Sequence, residues 1–138
     1  MIGGTCLLDT GPLVALLDQN DRHHKQAVQL FAAVRPPLLT CEAVLTEACH
    51  LLQKIGPRAV RAVLLLEDKG VYKIPSTLRD TFESVIALMD QYQDLPMSLA
   101  DAHLVAIATE FICPRILTFD AHFEVYRWGK QKTFEIVR

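Results

Sequence analysis

Four acidic residues have the types and positions that a divalent-metal site requires. Asp9 ends an apolar segment, and Asp120 lies two residues beyond another. Asp101 and Glu47 each lie in a segment whose apolar residues recur at helical spacing. Carboxylates that converge raise one another's pKa values, and a hard divalent cation relieves that repulsion. Oxygen ligands favour Mg²⁺ or Mn²⁺, and such an ion activates water and neutralises charge during phosphodiester hydrolysis.

Three of these acids also have a structural interpretation. An Asp at a strand end is often the N-cap of the next helix, which applies equally to Asp9 and Asp120. Asp101 follows Ser98 by three residues, the spacing of a capping box. However, Leu104 and the other apolar residues at helical spacing from Asp101 predict that its carboxylate lies on the buried face of a helix. Capping alone does not explain that apolar surrounding.

Glu47 has two competing interpretations. Its helical neighbours include Val44 and Leu51, and an ionised Glu among apolar side chains is costly to bury unless it is paired or binds a metal. The alternative is a Glu at the rim of its helix that pairs with Lys54 or a distant Arg. We expect the metal role.

Short apolar segments alternate with helical segments along the chain. Strands are predicted at 5–9, 38–40, 71–75, 115–118 and 133–137. Helices are predicted at 13–17, 21–34, 42–53, 58–68, 78–92 and 98–110. This alternation indicates βαβ units, a parallel sheet and a three-layer α/β sandwich. Ligands of such sheets bind beyond the carboxyl ends of the strands at a topological switch point, where Asp9 and Asp120 are expected.

Length and composition favour a single domain spanning 1–138. The four cysteines form no C-x-x-C pair, which predicts buried, reduced thiols in a cytoplasmic protein. No apolar run is long enough for a membrane span, and a signal peptide is not expected. The net charge of −2 is unfavourable for nucleic-acid binding, so local basic clusters or a metal would have to attract phosphate.

Histidines and local basic clusters are further candidates. The triplet Asp-Ala-His occurs at 101–103 and at 120–122. Residues two apart on a helix face different directions, so His103 is expected to be packed or exposed, whereas His122 could lie near a substrate phosphate. Basic residues with Tyr126 and Trp128 could stack single-stranded RNA, and the cluster Arg-His-His-Lys at 22–25 has the same two interpretations, RNA contact or solvated surface.

Four blocks in order resemble one family. They are LLDTGPLVALLD at 7–18, TCEAVLTEACHLL at 40–52, LADAHLVAIATE at 99–110 and ILTFDAHF at 116–123. Together they resemble the PIN-domain family, and within it the VapC-type toxin ribonucleases. No single block is specific, but all four in this order are.

The resemblance implies a central five-stranded parallel sheet in an α/β/α sandwich and a Mg²⁺- or Mn²⁺-dependent endoribonuclease. It also implies a homodimer and a cognate antitoxin that blocks the site. The implied catalytic residues are the metal ligands Asp9, Glu47, Asp101 and Asp120, with the hydroxyls of Thr10 and Thr118 orienting carboxylates or water.

Some questions stay open at this point. Related sequences often carry a further acid where Ser98 and His122 stand, so either one or two metals are compatible with the chain. A non-catalytic PIN-like module that binds a partner is the alternative function. The Asp9-Thr10-Gly11 triplet also matches aspartic proteases, but their fold is rich in β-structure. A receiver-like switch would need an Asp after the third strand, where the chain has Ile74-Pro75-Ser76.

Overall fold

A computed structural model describes residues 4–138 of the chain, and residues 1–3 of the predicted domain lie outside the described part. The strands are β1 Cys6–Leu8, β2 Leu38–Leu39, β3 Tyr72–Lys73, β4 Arg115–Leu117, β5 Arg127–Trp128, β6 Lys132–Thr133 and β7 Glu135–Val137. The helices are α1 Thr10–Leu17, α2 His24–Ala33, α3 Glu42–Leu52, α4 Pro57–Asp68, α5 Phe82–Gln91 and α6 Leu99–Phe111. Two 3₁₀ helices lie at Arg79–Thr81 and Ala121–Glu124.

Five strands form one parallel sheet in the order β3-β2-β1-β4-β7. Leu7 of the central strand β1 pairs with Leu39 on one side and Ile116 on the other. The chain leaves β1 in one direction to build β2 and β3, and then returns to add β4 on the opposite side. The carboxyl ends of β1 and β4 therefore form the topological switch point, where open α/β sheets bind their ligands.

The helices cover both faces of this sheet. Crossovers between parallel strands are right-handed, so the crossovers from β1 to β3 and the return crossover to β4 leave their helices on opposite faces. The contacts follow this division, because α1 touches α2, α3 and α4 and α5 packs on α6, while α3 also contacts α6. The predicted three-layer α/β/α sandwich with five parallel strands is confirmed, and this architecture excludes the β-rich fold of an aspartic protease.

Helix α6 is the most deeply buried helix of the site. Every residue from 100 to 108 is buried, which explains why apolar residues surround Asp101 in the sequence. Ser98 caps the helix, since its hydroxyl accepts a hydrogen bond from the Asp101 amide at 3.0 Å. The cap and the buried face together fix where Asp101 lies, and its predicted burial is confirmed.

The structure departs from the predicted elements in several places, and neither the 3₁₀ helix Ala121–Glu124 nor strand β5 was predicted. The helix predicted at 78–92 begins with a 3₁₀ turn, where Asp80 accepts a hydrogen bond from the Thr77 amide at 2.9 Å. The strand predicted at 133–137 is divided into β6 and β7, and β6 pairs with β5 in an antiparallel hairpin outside the main sheet. The four cysteines are free, and three of them, Cys6, Cys41 and Cys113, are buried as predicted, whereas Cys49 is half-buried on α3. Within 4–138 no helix has both the length and the apolar character needed to cross a membrane.

Candidate active site

A cavity of about 430 Å³ opens at the carboxyl ends of β1 and β4. The four predicted acids all line it: Asp9, Glu47, Asp101 and Asp120. They come from a strand end, from α3, from the first turn of α6 and from the loop after β4. Residues up to 111 positions apart in sequence thus contribute to one site, at the place that parallel-sheet topology predicts.

Asp9 is held from both sides by hydrogen bonds. Its Oδ1 accepts from the Thr10 amide at 2.8 Å, and its Oδ2 accepts from the Thr118 hydroxyl at 2.6 Å. Asp9 is therefore both the N-cap of α1 and a wall of the cavity, so the two interpretations of this residue are compatible. Burial raises the pKa of Asp9 to about 6, the bonds from Thr118 and Thr10 oppose that rise, and nearby carboxylates add to it.

Asp101 accepts a hydrogen bond from a buried phenol. The Tyr126 hydroxyl donates to Asp101 Oδ2 at 3.0 Å, and Tyr126 itself is fully buried. Burial raises the pKa of Asp101, and the bond from Tyr126 opposes that rise. Sequence reasoning missed this partner. A buried Tyr is expected to find an acceptor for its hydroxyl, but the sequence does not indicate which one.

Asp120 lies beside the histidine that the sequence marked as a candidate. Its backbone amide donates to Thr118 Oγ1 at 2.9 Å, and its Oδ1 accepts from the His122 amide at 2.9 Å. The His122 Nδ1 atom is 3.4 Å from the same oxygen. One potential ligand atom from each of Asp101, Asp120 and His122 lies within 4.8 Å of the other two. His122 is therefore nearer to the carboxylate cluster than the sequence alone indicated.

Glu47 is exposed at the rim of the cavity. The expectation that it is buried among apolar side chains, and therefore needs a metal to offset the cost of burial, is wrong. Its Oε2 accepts a hydrogen bond from the Thr10 hydroxyl at 3.1 Å. Among residues 4–138, Glu47 forms no ion pair with Lys54 or any Arg. Its carboxylate belongs to the cavity, and its orientation comes from Thr10 rather than from a basic side chain.

The donor set suits a hard divalent cation. Within the described part of the chain, no Lys or Arg forms an ion pair with any of the four acids. Two of them, Asp9 and Asp101, are nevertheless buried to less than 10% exposure. Burying carboxylates without a compensating cation is costly, and a bound ion removes that cost. Oxygen donors at this density are those that Mg²⁺ and Mn²⁺ prefer.

Other sequence candidates lie outside the cavity. His103 was expected to be packed or exposed; it is buried, it does not line the cavity, and its Nε2 has no partner among residues 4–138. Of the two interpretations of the region around Tyr126 and Trp128, stacking of RNA on these rings does not fit the structure, because both side chains are buried. Arg127, beside them, donates to three backbone carbonyls at 124–126.

Thr118 is the hydroxyl that connects Asp9 to Asp120. We expect Thr118→Val to lower any metal-dependent activity about 10- to 100-fold, because a buried carboxylate loses its shortest hydrogen bond. The bond from Thr118 lowers the pKa of Asp9, so its loss raises that pKa, and the acidic limb of a pH–rate profile should move to higher pH. Thr118→Ser keeps the hydroxyl and is the matched control. An unchanged profile in Thr118→Val would show that this bond does not govern the site.

Comparison with known proteins identifies the family. A family model described as PIN domain matches residues 6–129, and the chain therefore belongs to the PIN-domain family. Ribonuclease VapC26 of Mycobacterium tuberculosis is 26% identical over 123 residues, which cover 88% of this chain and 91% of that protein. The resemblance predicted from the four sequence blocks is confirmed.

A solved structure has the same fold. The crystal structure of Mycobacterium tuberculosis VapC20, described as a Sarcin-Ricin loop cleaving toxin, superposes with a TM-score of 0.79. The match covers 88% of this chain and 94% of that one at 24% identity. Both relatives are VapC proteins, the branch that the sequence blocks resemble.

Proposed function

We propose that this protein is a divalent-metal-dependent endoribonuclease of the VapC type, which hydrolyses phosphodiester bonds in RNA. The observation that carries the proposal is the pair of buried carboxylates, Asp9 and Asp101, in one cavity without a Lys or Arg partner among residues 4–138. The name of ribonuclease VapC26 and the description of VapC20 as a Sarcin-Ricin loop cleaving toxin support RNA as the substrate.

Asp9, Asp101, Asp120 and Glu47 would hold Mg²⁺ or Mn²⁺. When bound, such an ion stabilises negative charge on the phosphate and makes water a stronger nucleophile near neutral pH. The chain's own contribution is orientation. Thr118 and the Thr10 amide fix the two oxygens of Asp9, and Tyr126 fixes one oxygen of Asp101. Rigid ligands at the carboxyl edge of a sheet keep the geometry that hydrolysis requires.

The metal also compensates for the charge of the protein. The chain carries a net charge of −2, which by itself disfavours a polyanion. A divalent ion held by these acids would coordinate a phosphate oxygen directly, an interaction that the overall charge of the chain does not provide. We further propose a cognate antitoxin as partner, a homodimer and a cytoplasmic location, all of which rest on the VapC-type relatives.

The test of this function is cleavage of a single-stranded RNA by the purified protein. We expect cleavage with Mg²⁺ or Mn²⁺, loss of cleavage in EDTA, and recovery when the ion is returned in excess. Cleavage that persists in EDTA would contradict the proposal. An intact RNA under all conditions would favour the alternative of a non-catalytic module that binds a partner.

Glu47→Gln tests the most exposed of the four acids. We expect weaker Mn²⁺ binding by titration calorimetry, roughly 10- to 100-fold, the cost that altered coordination typically brings. The exposed Glu67 at the end of α4 offers a matched control, and Glu67→Gln should bind Mn²⁺ like the parent. Unchanged affinity in Glu47→Gln would remove this residue from the ligand set and leave it as a partner of Thr10.

A further inference from the structure

One aromatic side chain lines the acidic cavity and has no role in holding a metal. Phe119 lies between Thr118, which holds Asp9, and the candidate ligand Asp120. Its side chain is half-buried and contributes to the cavity wall. An apolar ring at this position is next to any phosphate that the carboxylate site would engage.

The ring of Phe119 is supported by the basic segment before α2. The His23 and Phe119 ring centroids are 4.7 Å apart, and the two rings are tilted by 33°. The Arg22 Nε atom donates to His23 Nε2 at 3.1 Å. Arg22 is exposed and forms no ion pair with an acid in the described part of the chain. The guanidinium, the imidazole and the benzene ring thus form a connected row that ends at the cavity.

The space beside the ring is left open by a glycine. Gly11 is exposed and lines the same cavity, and a Cβ atom at this position would lie 3.5 Å from Phe119 Cδ2. A longer side chain here would cover part of the ring. Gly11 therefore leaves room for a planar group to approach Phe119 from the cavity.

We propose that Phe119, supported by His23 and Arg22, forms a subsite that stacks one unpaired nucleobase next to the phosphate held at the carboxylates. Aromatic rings bind bases by stacking largely irrespective of sequence, and exposed Arg residues contact the adjoining phosphates. Of the two interpretations of the basic segment 22–25, RNA contact and solvated surface, the subsite supports RNA contact. This inference rests on the proposed function, since the base belongs to the same RNA.

The subsite selects for single-stranded RNA. A base within a duplex has both faces covered by its neighbours and cannot lie against Phe119 without leaving the stack. Arg22, which is bonded to His23, adds a positive charge that can contact a phosphate adjoining the stacked base. The RNA accepted here therefore has an unpaired nucleotide flanking the phosphate at the acids.

The test combines an aromatic variant with an RNA that lacks one base. Binding of a labelled, unstructured RNA oligonucleotide is measured by fluorescence anisotropy in an Asp101→Asn background, which is expected not to cleave it. The same RNA is then used with single abasic positions along its length. We expect Phe119→Leu to weaken binding of the intact RNA roughly 10-fold, and Phe119→Trp to bind like the parent. Removal of the base at one position of the RNA should weaken binding to the parent protein by a similar factor. Phe119→Leu should bind that abasic RNA as tightly as it binds the intact RNA.

An exposed aromatic side chain with an arginine neighbour provides the control. Phe82 is exposed on α5 with the Arg79 guanidinium 5.2 Å from its ring centroid, and it does not line the acidic cavity. Phe82→Leu should leave RNA binding unchanged. Mn²⁺ affinity measured by calorimetry in Phe119→Leu, with Asp101 intact, should equal that of the parent, which shows that the carboxylates have not moved. In the cleaving protein, Phe119→Leu should raise KM more than it lowers kcat.

The outcomes separate this inference from the proposed function. Equal RNA affinity in Phe119→Leu and its parent, or an abasic penalty that persists in Phe119→Leu, overturns the subsite even if the protein cleaves RNA. A penalty that depends on Phe119 supports the subsite even if no cleavage occurs, in which case the proposed hydrolysis fails. An absence of RNA binding in every protein overturns both.

Discussion

Asp101→Asn is expected to lower metal-dependent RNA cleavage about 100-fold or more while the protein stays folded. Asp101 is a buried carboxylate in the acidic cavity, and the amide that replaces it cannot supply the negative charge that a divalent ion requires. An Asn side chain can still accept from the Tyr126 hydroxyl, and the backbone cap from Ser98 is unaffected. The loss should therefore be chemical rather than structural.

The measurement is the initial rate of RNA cleavage in Mn²⁺, with thermal unfolding of the same preparation as the check on folding. Asp90→Asn removes an exposed acid from α5 outside the cavity and should keep the full rate. Asp9→Asn should show the same loss as Asp101→Asn. Cleavage at the parent rate in both variants would contradict the roles assigned to these two carboxylates.

Asp9→Asn is also expected to stabilise the metal-free protein at neutral pH. In the folded protein burial raises the pKa of Asp9 from 3.8 to about 6, so the folded state binds this proton more tightly than the unfolded state does. Stability is therefore lost as pH rises from about 4 to about 6, and the full cost of the ionised carboxylate is present above that range. A shift of this size corresponds to about 3 kcal/mol. A neutral Asn avoids that cost, but its amide nitrogen cannot accept from the Thr118 hydroxyl as Asp9 does, so the net gain is smaller than the full amount.

Denaturant unfolding in EDTA at several pH values measures this effect. The free energy of unfolding of Asp9→Asn should exceed that of the parent by little near pH 4. This excess should grow up to about pH 6 and stay constant above it. Mn²⁺ should narrow the difference, because a ligand that binds only the folded parent stabilises it. If Asp9→Asn is less stable than the parent at neutral pH without metal, the account of Asp9 as a destabilising, unpaired charge is wrong.

The main features of the fold were predictable because they follow from local pattern. The alternation of apolar strands with helical segments indicated the parallel sheet, and the acids after β1 and β4 indicated its ligand-binding edge. Asp101 was predictable from its apolar neighbours, since one helical face decides whether a side chain is buried. These inferences need only periodicity and the geometry of a parallel sheet.

The rest of the site depends on contacts between distant segments. The bond from Thr118 to Asp9 spans 109 residues and the bond from Tyr126 to Asp101 spans 25, and no local pattern specifies such pairs. Glu47 was expected to be difficult to bury, but α3 places it at the rim, where water reaches it. Tyr126 and Trp128 resembled a surface for RNA, but the hairpin of β5 and β6 and the packing against α6 bury them.

A Mn²⁺-soaked crystal tests the central claim most directly, because anomalous scattering locates the ion without reference to activity. We predict one or two Mn²⁺ peaks within the cavity, with carboxylate oxygens of Asp9, Asp101 and Asp120 at ligand distance. Crystals of Asp9→Asn should lose or weaken those peaks. A peak confined to the exposed Asp120 and His122 side chains, with Asp9 and Asp101 unoccupied at saturating Mn²⁺, would contradict the proposed metal site.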